Sequence, residues 1–338
     1  MKKIISILLA GTLALSLSAC GNGGAEDSGK GSDTADAQTK TKITVVLDWL
    51  PNTNHTGLYV AEKKGYFAEE GLEVSIEQPP EDGAEALVAS GKAQFGVSVQ
   101  ENLASALTAD APLPITAVAA ILQHNTSGII SLKEKGIDSP KKMMDHLYAR
   151  WDTPIEQAIL KSVIEKDGGD FSRLNQVTST VTDTIAALNS DIDMVWIYYA
   201  WDGVATKVKG IETNYFEFRD IDPALDYYTP FFIANNSFLE EQPEAARAFL
   251  KAARRGYEDC IADPEEAADI LCGMVPEIDH EIAVESQKYL AGQYKAEVET
   301  WGQFDQQRWD TFFTWLYDNG VITKKLGPGA GFTNDYLN

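Results

Sequence analysis

The stretch VVLDWLPNTNHTGLYVAEKKGYF, from Val45 to Phe67, decides the fold. It begins with an apolar run that contains β-branched residues and continues through a polar turn with one proline. Apolar residues at helical spacing then follow. This succession predicts a strand, a loop and a helix, with the loop at the carboxyl end of the strand. Ligands bind at that edge in α/β sheets.

The loop between this strand and this helix is rich in side chains that can contact a ligand. It offers Asp48, Trp49, Asn52 and His55. We interpret it as a binding loop in which His55 hydrogen-bonds the ligand. The alternative is an ordinary helix start with Asn54 or Thr56 as its cap.

The N-terminal residues 1–20 predict a lipoprotein signal peptide. Two lysines precede an apolar run over 4–17 that is too short to span a membrane. The run leads to Ser18-Ala19-Cys20, which resembles a bacterial lipobox with Cys20 as the lipidated residue, although an ordinary secretory signal is the alternative. Residues 21–40 are small and polar, which predicts a flexible tether. We therefore expect an extracytoplasmic chain that is anchored to the cell membrane by lipid.

Charge and cysteine content narrow the possible partners. The 338 residues carry a formal net charge of −23, which disfavours nucleic acid as a partner. The length predicts two lobes rather than one core. Apart from Cys20, the cysteines are Cys260 and Cys272, which either pair or remain buried thiols.

The alternation of strands and helices predicts an α/β fold with two doubly wound lobes. Lobe one is expected over 41–131 and 230–338, and lobe two over 132–229. Two crossovers join the lobes, and the chain from 238 to 320 is predicted to be almost entirely helical. Two lobes that hinge at such crossovers can close around a ligand.

Further candidate ligand contacts follow the other predicted strands and lie in loops at the same edge. They are aromatic, acidic or hydroxyl-bearing: Glu101, Trp151, Thr153, Glu156, Tyr198, Trp201, Asp202 and Tyr228. Aromatic faces stack on a flat ligand ring, and carboxylates accept hydrogen bonds from amino or ring N–H groups. Taken singly, Glu156 could serve only a capping box, and Asp202 could serve only a helix start.

The sequence lacks the common catalytic and cofactor motifs. It contains no GxxxxGK[ST] loop, no HExxH, no CxxC pair and no GxSxG elbow. The four histidines are scattered, so neither a metal site nor a cofactor is predicted.

Several segments together resemble the solute-binding lipoproteins of ABC importers. They are the lipobox, the opening stretch, the WDTPIEQAILK segment, DMVWIYYAWDG and LDYYTPFFIANN. Within that group the chain is similar to the branch related to thiamine-pyrimidine biosynthesis proteins, whose bacterial members bind formylaminopyrimidine-type precursors. The resemblance implies a periplasmic-binding-protein-like fold, an aminopyrimidine-like ligand, an ABC permease as partner, and a monomer without enzymatic activity.

Two other functions share this resemblance. Related proteins bind riboflavin or sulfonates. Eukaryotic enzymes of the family make the pyrimidine from pyridoxal phosphate and one of their own histidines, and His55 has a comparable Pro-x-x-x-His setting. Those enzymes also carry a Cys-rich cluster, which this chain lacks. The chain also has Ala149-Arg150-Trp151 where the family often has a Gly-rich lead into the tryptophan.

Overall fold

A computed structural model describes residues 40–80 and 83–338. The predicted signal peptide, Cys20 and all but the last residue of the predicted tether lie outside the described residues. Among the helices that are described, none combines the length and the apolar character that crossing a membrane requires.

The first sheet has five strands in the order β2-β1-β3-β10-β4. Their bounds are β1 (Thr41–Val46), β2 (Leu72–Glu77), β3 (Phe95–Ser98), β4 (Ile115–Ala120) and β10 (Phe231–Asn235). The central strands β3 and β10 are buried along their whole length, as expected for strands that are covered on both faces.

The second sheet also has five strands, in the order β7-β6-β8-β5-β9. Their bounds are β5 (Ser127–Leu132), β6 (Leu147–Arg150), β7 (Asn175–Thr178), β8 (Met194–Tyr198) and β9 (Thr213–Glu217). The two sheets with their helices confirm the predicted α/β fold.

Helices flank both sheets and dominate the C-terminal part. The helices before β9 are α1 (Thr56–Lys63), α2 (Tyr66–Glu69), α3 (Gly83–Ala89), α4 (Gln100–Thr108), α5 (Pro154–Lys166), α6 (Thr184–Leu188) and α7 (Val204–Val208). The later ones are α8 (Phe218–Ile221), α9 (Asn236–Glu241), α10 (Pro243–Ala262), α11 (Pro264–Met274), α12 (His280–Ala291) and α13 (Gln306–Asp318). The predicted helical C-terminal part is therefore confirmed.

Both sheets are mixed, because each contains one strand that runs antiparallel to its neighbours. Strand β10 runs antiparallel to β3 and β4, and β5 runs antiparallel to β8 and β9. The reason is the direction of the crossings. Each of these strands begins where the chain arrives from the other sheet, at the edge where the parallel strands end.

The first crossing comes earlier than the predicted boundary at 131. Strand β5 pairs with β8 and β9, so it belongs to the second sheet. We propose that the chain changes lobe between β4 and β5, and returns between β9 and β10, close to the predicted boundary at 230.

The two remaining cysteines are free thiols in the structure. Cys260 is buried in α10 and Cys272 is partly buried in α11, and burial raises the pKa of both thiols. Of the two alternatives that the sequence left open, the structure therefore supports unpaired thiols.

Helix α1, which follows the candidate binding loop, is held against α10 by two glycines. A Cβ on Gly256 would lie 2.0 Å from the Gly57 carbonyl oxygen, and a Cβ on Gly57 would lie 2.4 Å from the Tyr257 ring. Neither position leaves room for a side chain, because real Cβ atoms do not approach so closely.

We expect Gly256→Ala to lower the free energy of unfolding by about 1–3 kcal/mol, because the added methyl group forces α1 and α10 apart. Urea unfolding followed by circular dichroism measures this change. Gly273→Ala in α11 is the matched control, since nothing lies within 4 Å of its Cβ position and alanine favours a helix. A Gly256→Ala protein as stable as the control would contradict the tight packing.

Candidate ligand-binding site

The loop after β1 is organised by a hydrogen bond between His55 and Asp48. The His55 Nε2 atom lies 2.7 Å from Asp48 Oδ1. The other ring nitrogen, Nδ1, accepts a hydrogen bond of 3.1 Å from the Asn52 backbone N–H. Because Nδ1 accepts, the hydrogen sits on Nε2 and is donated to Asp48. The ring thereby orients the carboxylate.

The same residues begin the helix. The Asn52 Oδ1 atom accepts from the Asn54 backbone N–H, so Asn52 and His55 form a reciprocal cap on the turn Thr53–His55. The cap is thus Asn52 and not Asn54 or Thr56, the two residues that the sequence offered as alternatives. The His55 ring is fully buried, and both of its nitrogens bond within the loop. In this arrangement it contacts Asp48, and its contact with a ligand stays a prediction.

The loop exposes its acid and its aromatic residue. The Asp48 side chain is 25% exposed, and Trp49 is 57% exposed. An exposed tryptophan next to an oriented carboxylate is a feature that packing alone does not explain.

Glu101 lies at the first turn of α4, after the end of β3. Its Oε1 atom is 3.4 Å from the Tyr227 hydroxyl, which makes at most a weak hydrogen bond. Its Oε2 atom is buried and has no hydrogen-bond partner within the described part of the chain. Burial raises the pKa of Glu101 to about 7, and the charge of Glu85 adds to this effect.

Tyr198 connects the two lobes at this point. It is the last residue of β8 in the second sheet, and its hydroxyl pKa is raised first by burial and then by the nearby charges of Glu101 and Asp48. Asp48 and Glu101 are thus near enough for their charges to act on the Tyr198 hydroxyl. We call Asp48, Glu101, Tyr198 and Tyr227 the cleft cluster.

Tyr227 belongs to this cluster, although the sequence analysis selected its neighbour Tyr228. Tyr227 is buried, and the charge of Glu101 acts on its hydroxyl. The Tyr228 hydroxyl instead accepts from the Asp305 backbone N–H at 2.7 Å, within a buried apolar cluster. Tyr228 therefore packs in the interior of the protein, and a ligand contact of Tyr228 stays a prediction.

Glu156 is satisfied entirely within the protein. The Tyr148 hydroxyl donates to it at 2.6 Å, and the backbone N–H groups of Trp151 and Asp152 donate at 3.0 to 3.1 Å. The residue is 1% exposed. Its carboxylate fixes the loop before α5, so the structure supports its capping role and not its proposed ligand contact.

The remaining predicted residues lie on two loops of the second sheet. Trp151 is 40% exposed and its ring centroid lies 5.6 Å from that of the buried Trp196. Thr153 is exposed and caps α5 through its hydroxyl. Asp202 and Trp201 lie partly buried in the π-helical turn Tyr199–Gly203.

Asp202 has one internal partner. Its Oδ1 atom accepts a hydrogen bond of 2.8 Å from the Thr184 hydroxyl, and burial raises the pKa of the carboxyl group. This contact ties the turn to the start of α6. Asp202 is the acidic residue in the first turn of the helical segment Tyr199–Gly203, in agreement with the helix-start alternative, and it is not a member of the cleft cluster.

The cleft cluster supplies acceptors, hydroxyls and aromatic surface, with no cation among its members. Across residues 40–80 and 83–338, no group of three His, Cys, Asp or Glu side chains is arranged to hold a metal ion. Such a site suits a flat polar solute that donates hydrogen bonds.

Two α/β lobes joined by two crossings, with the candidate site where the strand ends of both lobes meet, are the architecture of periplasmic binding proteins. The solved alkanesulfonate-binding protein SsuA of Xanthomonas axonopodis pv. citri shares this fold. It superposes with a TM-score of 0.65 over 88% of this chain and 99% of its own, at 10% identity.

Sequence comparison identifies the family to which the chain belongs. The chain belongs to the NMT1/THI5-like family, which matches residues 52–267. It is 31% identical to the formylaminopyrimidine-binding protein of Halalkalibacterium halodurans, over 93% of this chain and 92% of that protein. It is 23% identical to a 4-amino-5-hydroxymethyl-2-methylpyrimidine phosphate synthase of Saccharomyces cerevisiae, over 88% of each.

The raised pKa of Glu101 predicts a pH-dependent cost to the unliganded protein. Because the folded-state pKa of about 7 exceeds the ordinary value of 4.5, the folded protein loses stability as pH rises between these two values. Glutamine does not ionise. The free energy of unfolding of Glu101→Gln relative to wild type should therefore rise by up to about 3 kcal/mol from pH 4.5 to pH 8.

Denaturant unfolding of both proteins at a series of pH values measures this difference. A constant offset between the two curves would show that Glu101 titrates normally. Because only the change with pH is compared, any pH-independent effect of the substitution cancels.

Proposed function

We propose that this protein is an extracytoplasmic solute-binding protein that delivers a thiamine pyrimidine precursor to an ABC importer. Formylaminopyrimidine and hydroxymethylpyrimidine are the kind of ligand that we infer. One observation carries the proposal: the cleft cluster presents an oriented and an unpartnered carboxyl oxygen, and the exposed Trp49 lies next to Asp48 in sequence, in a chain 31% identical to a formylaminopyrimidine-binding protein.

The chemistry of the cleft supports an aminopyrimidine. A flat aromatic ring can stack on the exposed faces of Trp49 and Trp151, which follow strands of different sheets. Its amino group can donate to Asp48, whose second oxygen is free of the contact with His55. Each part of such a ligand therefore has a partner of matching chemistry.

A sulfonate is a poorer match for this cleft. An anion requires cationic partners, and the cleft cluster is acidic. Arg150 is the basic residue that the sequence places closest to the predicted site, and it lies 3.1 Å from Asp152 in an ion pair. The fold shared with sulfonate-binding proteins is therefore not matched by a shared site chemistry.

We also propose that the protein is not an enzyme. A synthase that consumes its own histidine needs an imidazole that can reach the second substrate. His55 is fully buried, and both of its nitrogens bond within the β1 loop. Burial and internal hydrogen bonds thus favour a structural role for this histidine.

The proposed location rests on the N-terminal sequence. We propose that Cys20 carries a lipid and that the chain works as a monomer at the extracytoplasmic face of the cell membrane, with an ABC permease as its partner. Cys20→Ala should move the protein from the membrane fraction to the soluble fraction without altering its thermal unfolding. A variant that stays in the membrane fraction after processing would refute the lipid anchor.

Asp48→Asn tests the ligand assignment. We expect it to weaken binding of 4-amino-5-hydroxymethyl-2-methylpyrimidine by about 1.5–3 kcal/mol, because an amide offers the amino group one acceptor and one mismatched donor. Isothermal titration calorimetry measures the loss.

Asp110→Asn is the matched control, since Asp110 is exposed just beyond the opposite end of α4 from Glu101. It removes the same charge but should bind as wild type does. Equal affinity of both variants would show that Asp48 only caps the loop. Failure of the wild-type protein to bind any aminopyrimidine would overturn the proposed function itself.

A further inference from the structure

Glu101 is the member of the cleft cluster whose hydrogen-bonding capacity is least used. Its Oε2 atom is buried without a partner among the described residues, and its Oε1 atom lies 3.4 Å from the Tyr227 hydroxyl. Buried polar atoms in folded proteins nearly always have a partner, so an orphaned oxygen at a binding cleft indicates where a ligand atom sits.

The surroundings of Glu101 disfavour a negative charge. Tyr227 faces it from the second crossing and Tyr198 from β8, and both hydroxyls are buried and neutral. The nearby charges are those of Glu85 on α3 and, beyond Tyr198, Asp48. None of the described groups that act on Glu101 is a cation.

Two contacts oppose this tendency without reversing it. The backbone N–H of Glu101 itself, at the start of α4, favours the ionised form, and so does the distant Tyr227 hydroxyl. Glu85, whose charge raises the pKa of Glu101, accepts at its Oε1 atom from Ser98 and Asn102. Burial and like charge therefore outweigh the two stabilising contacts.

The protonation state decides what Glu101 can recognise. A protonated carboxyl group offers one donor and one acceptor side by side, whereas a carboxylate offers acceptors only. A neutral aminopyrimidine offers the complementary pair, an amino donor next to a ring-nitrogen acceptor. A carboxylate matches that edge only if the ring nitrogen also carries a proton.

We propose that Glu101 binds the ligand as the neutral acid, donating its O–H to the ring nitrogen and accepting from the adjacent amino group. This inference rests on the proposed function and assigns the recognition of the aminopyrimidine edge to Glu101. Asp48 then acts as an acceptor only, and a ligand that lacks the ring nitrogen is rejected because the Glu101 O–H is left without a partner.

The test is the pH dependence of affinity for 4-amino-5-hydroxymethyl-2-methylpyrimidine, measured by calorimetry on the wild-type protein and on Glu101→Gln. Wild-type affinity should fall about tenfold from pH 7.5 to pH 8.5, since one proton must then be taken up for each ligand bound. Titrations in buffers of different ionisation enthalpy should show the uptake directly, and this measurement needs no variant.

Glu101→Gln separates the neutral acid from an ion pair. A glutamine side chain presents a donor and an acceptor at every pH, so its affinity should not vary with pH and should exceed that of wild type at pH 8.5. If Glu101 were a carboxylate against a protonated ring, glutamine would weaken binding at every pH.

Each outcome distinguishes the inference from the function on which it rests. Wild-type binding that is independent of pH, or binding that glutamine weakens throughout, overturns the role of neutral Glu101 but leaves the proposed function standing. Absence of aminopyrimidine binding by the wild-type protein overturns both. Thermal unfolding of the variant establishes that any loss does not come from misfolding.

Discussion

The constraint on which the structure depends is that one chain crosses twice between two sheets. Each crossing delivers a strand that starts at the edge where the parallel strands end, which is why β5 and β10 run antiparallel to their neighbours. The crossing segments must then pass through the cleft. Ser127 and Tyr227 lie at the ends of these segments, and Tyr227 belongs to the cleft cluster. A ligand of the proposed kind would therefore meet the second crossing at Tyr227.

The sequence predicted what depends on local pattern. The strand, polar loop and helix around Asp48 lie where expected, because a β-branched run followed by helical spacing specifies them. It could not predict that Tyr227 and not Tyr228 reaches Glu101, since both are buried and only the path of the second crossing separates them. It also could not predict that the Tyr148 hydroxyl of β6 donates a hydrogen bond to the Glu156 carboxylate of α5. Tertiary packing decides such contacts.

The number of hydrogen bonds that each acid accepts within the protein distinguishes the candidate acids, which the sequence alone could not rank. Glu156 receives bonds from a hydroxyl and two backbone N–H groups, so a ligand would gain nothing that the fold does not already supply. Asp202 receives one from Thr184, and Asp48 receives one from His55. Glu101 receives no short hydrogen bond from another described residue: the Tyr227 hydroxyl lies 3.4 Å from it, and the further contact is with its own backbone N–H. A ligand can bond only to carboxyl oxygens that the protein has not already paired. Of these four acids, Glu101 therefore has the most hydrogen-bonding capacity left for a ligand.

This ranking explains how binding and lobe arrangement can be coupled. Helix α12 already joins the lobes: the Ser286 hydroxyl bonds to Thr53 of the β1 loop and to the carbonyl of Ala200 beyond β8. The Tyr199 and Tyr289 rings add a contact with centroids 5.2 Å apart. The polar groups in these contacts already have partners within the protein, so the contacts form without a ligand. Glu101 differs, since its orphaned oxygen costs free energy until a donor or acceptor arrives. A ligand that fills it while touching Tyr198 stabilises the arrangement in which both lobes meet, and only such a difference in free energy can shift a conformational equilibrium.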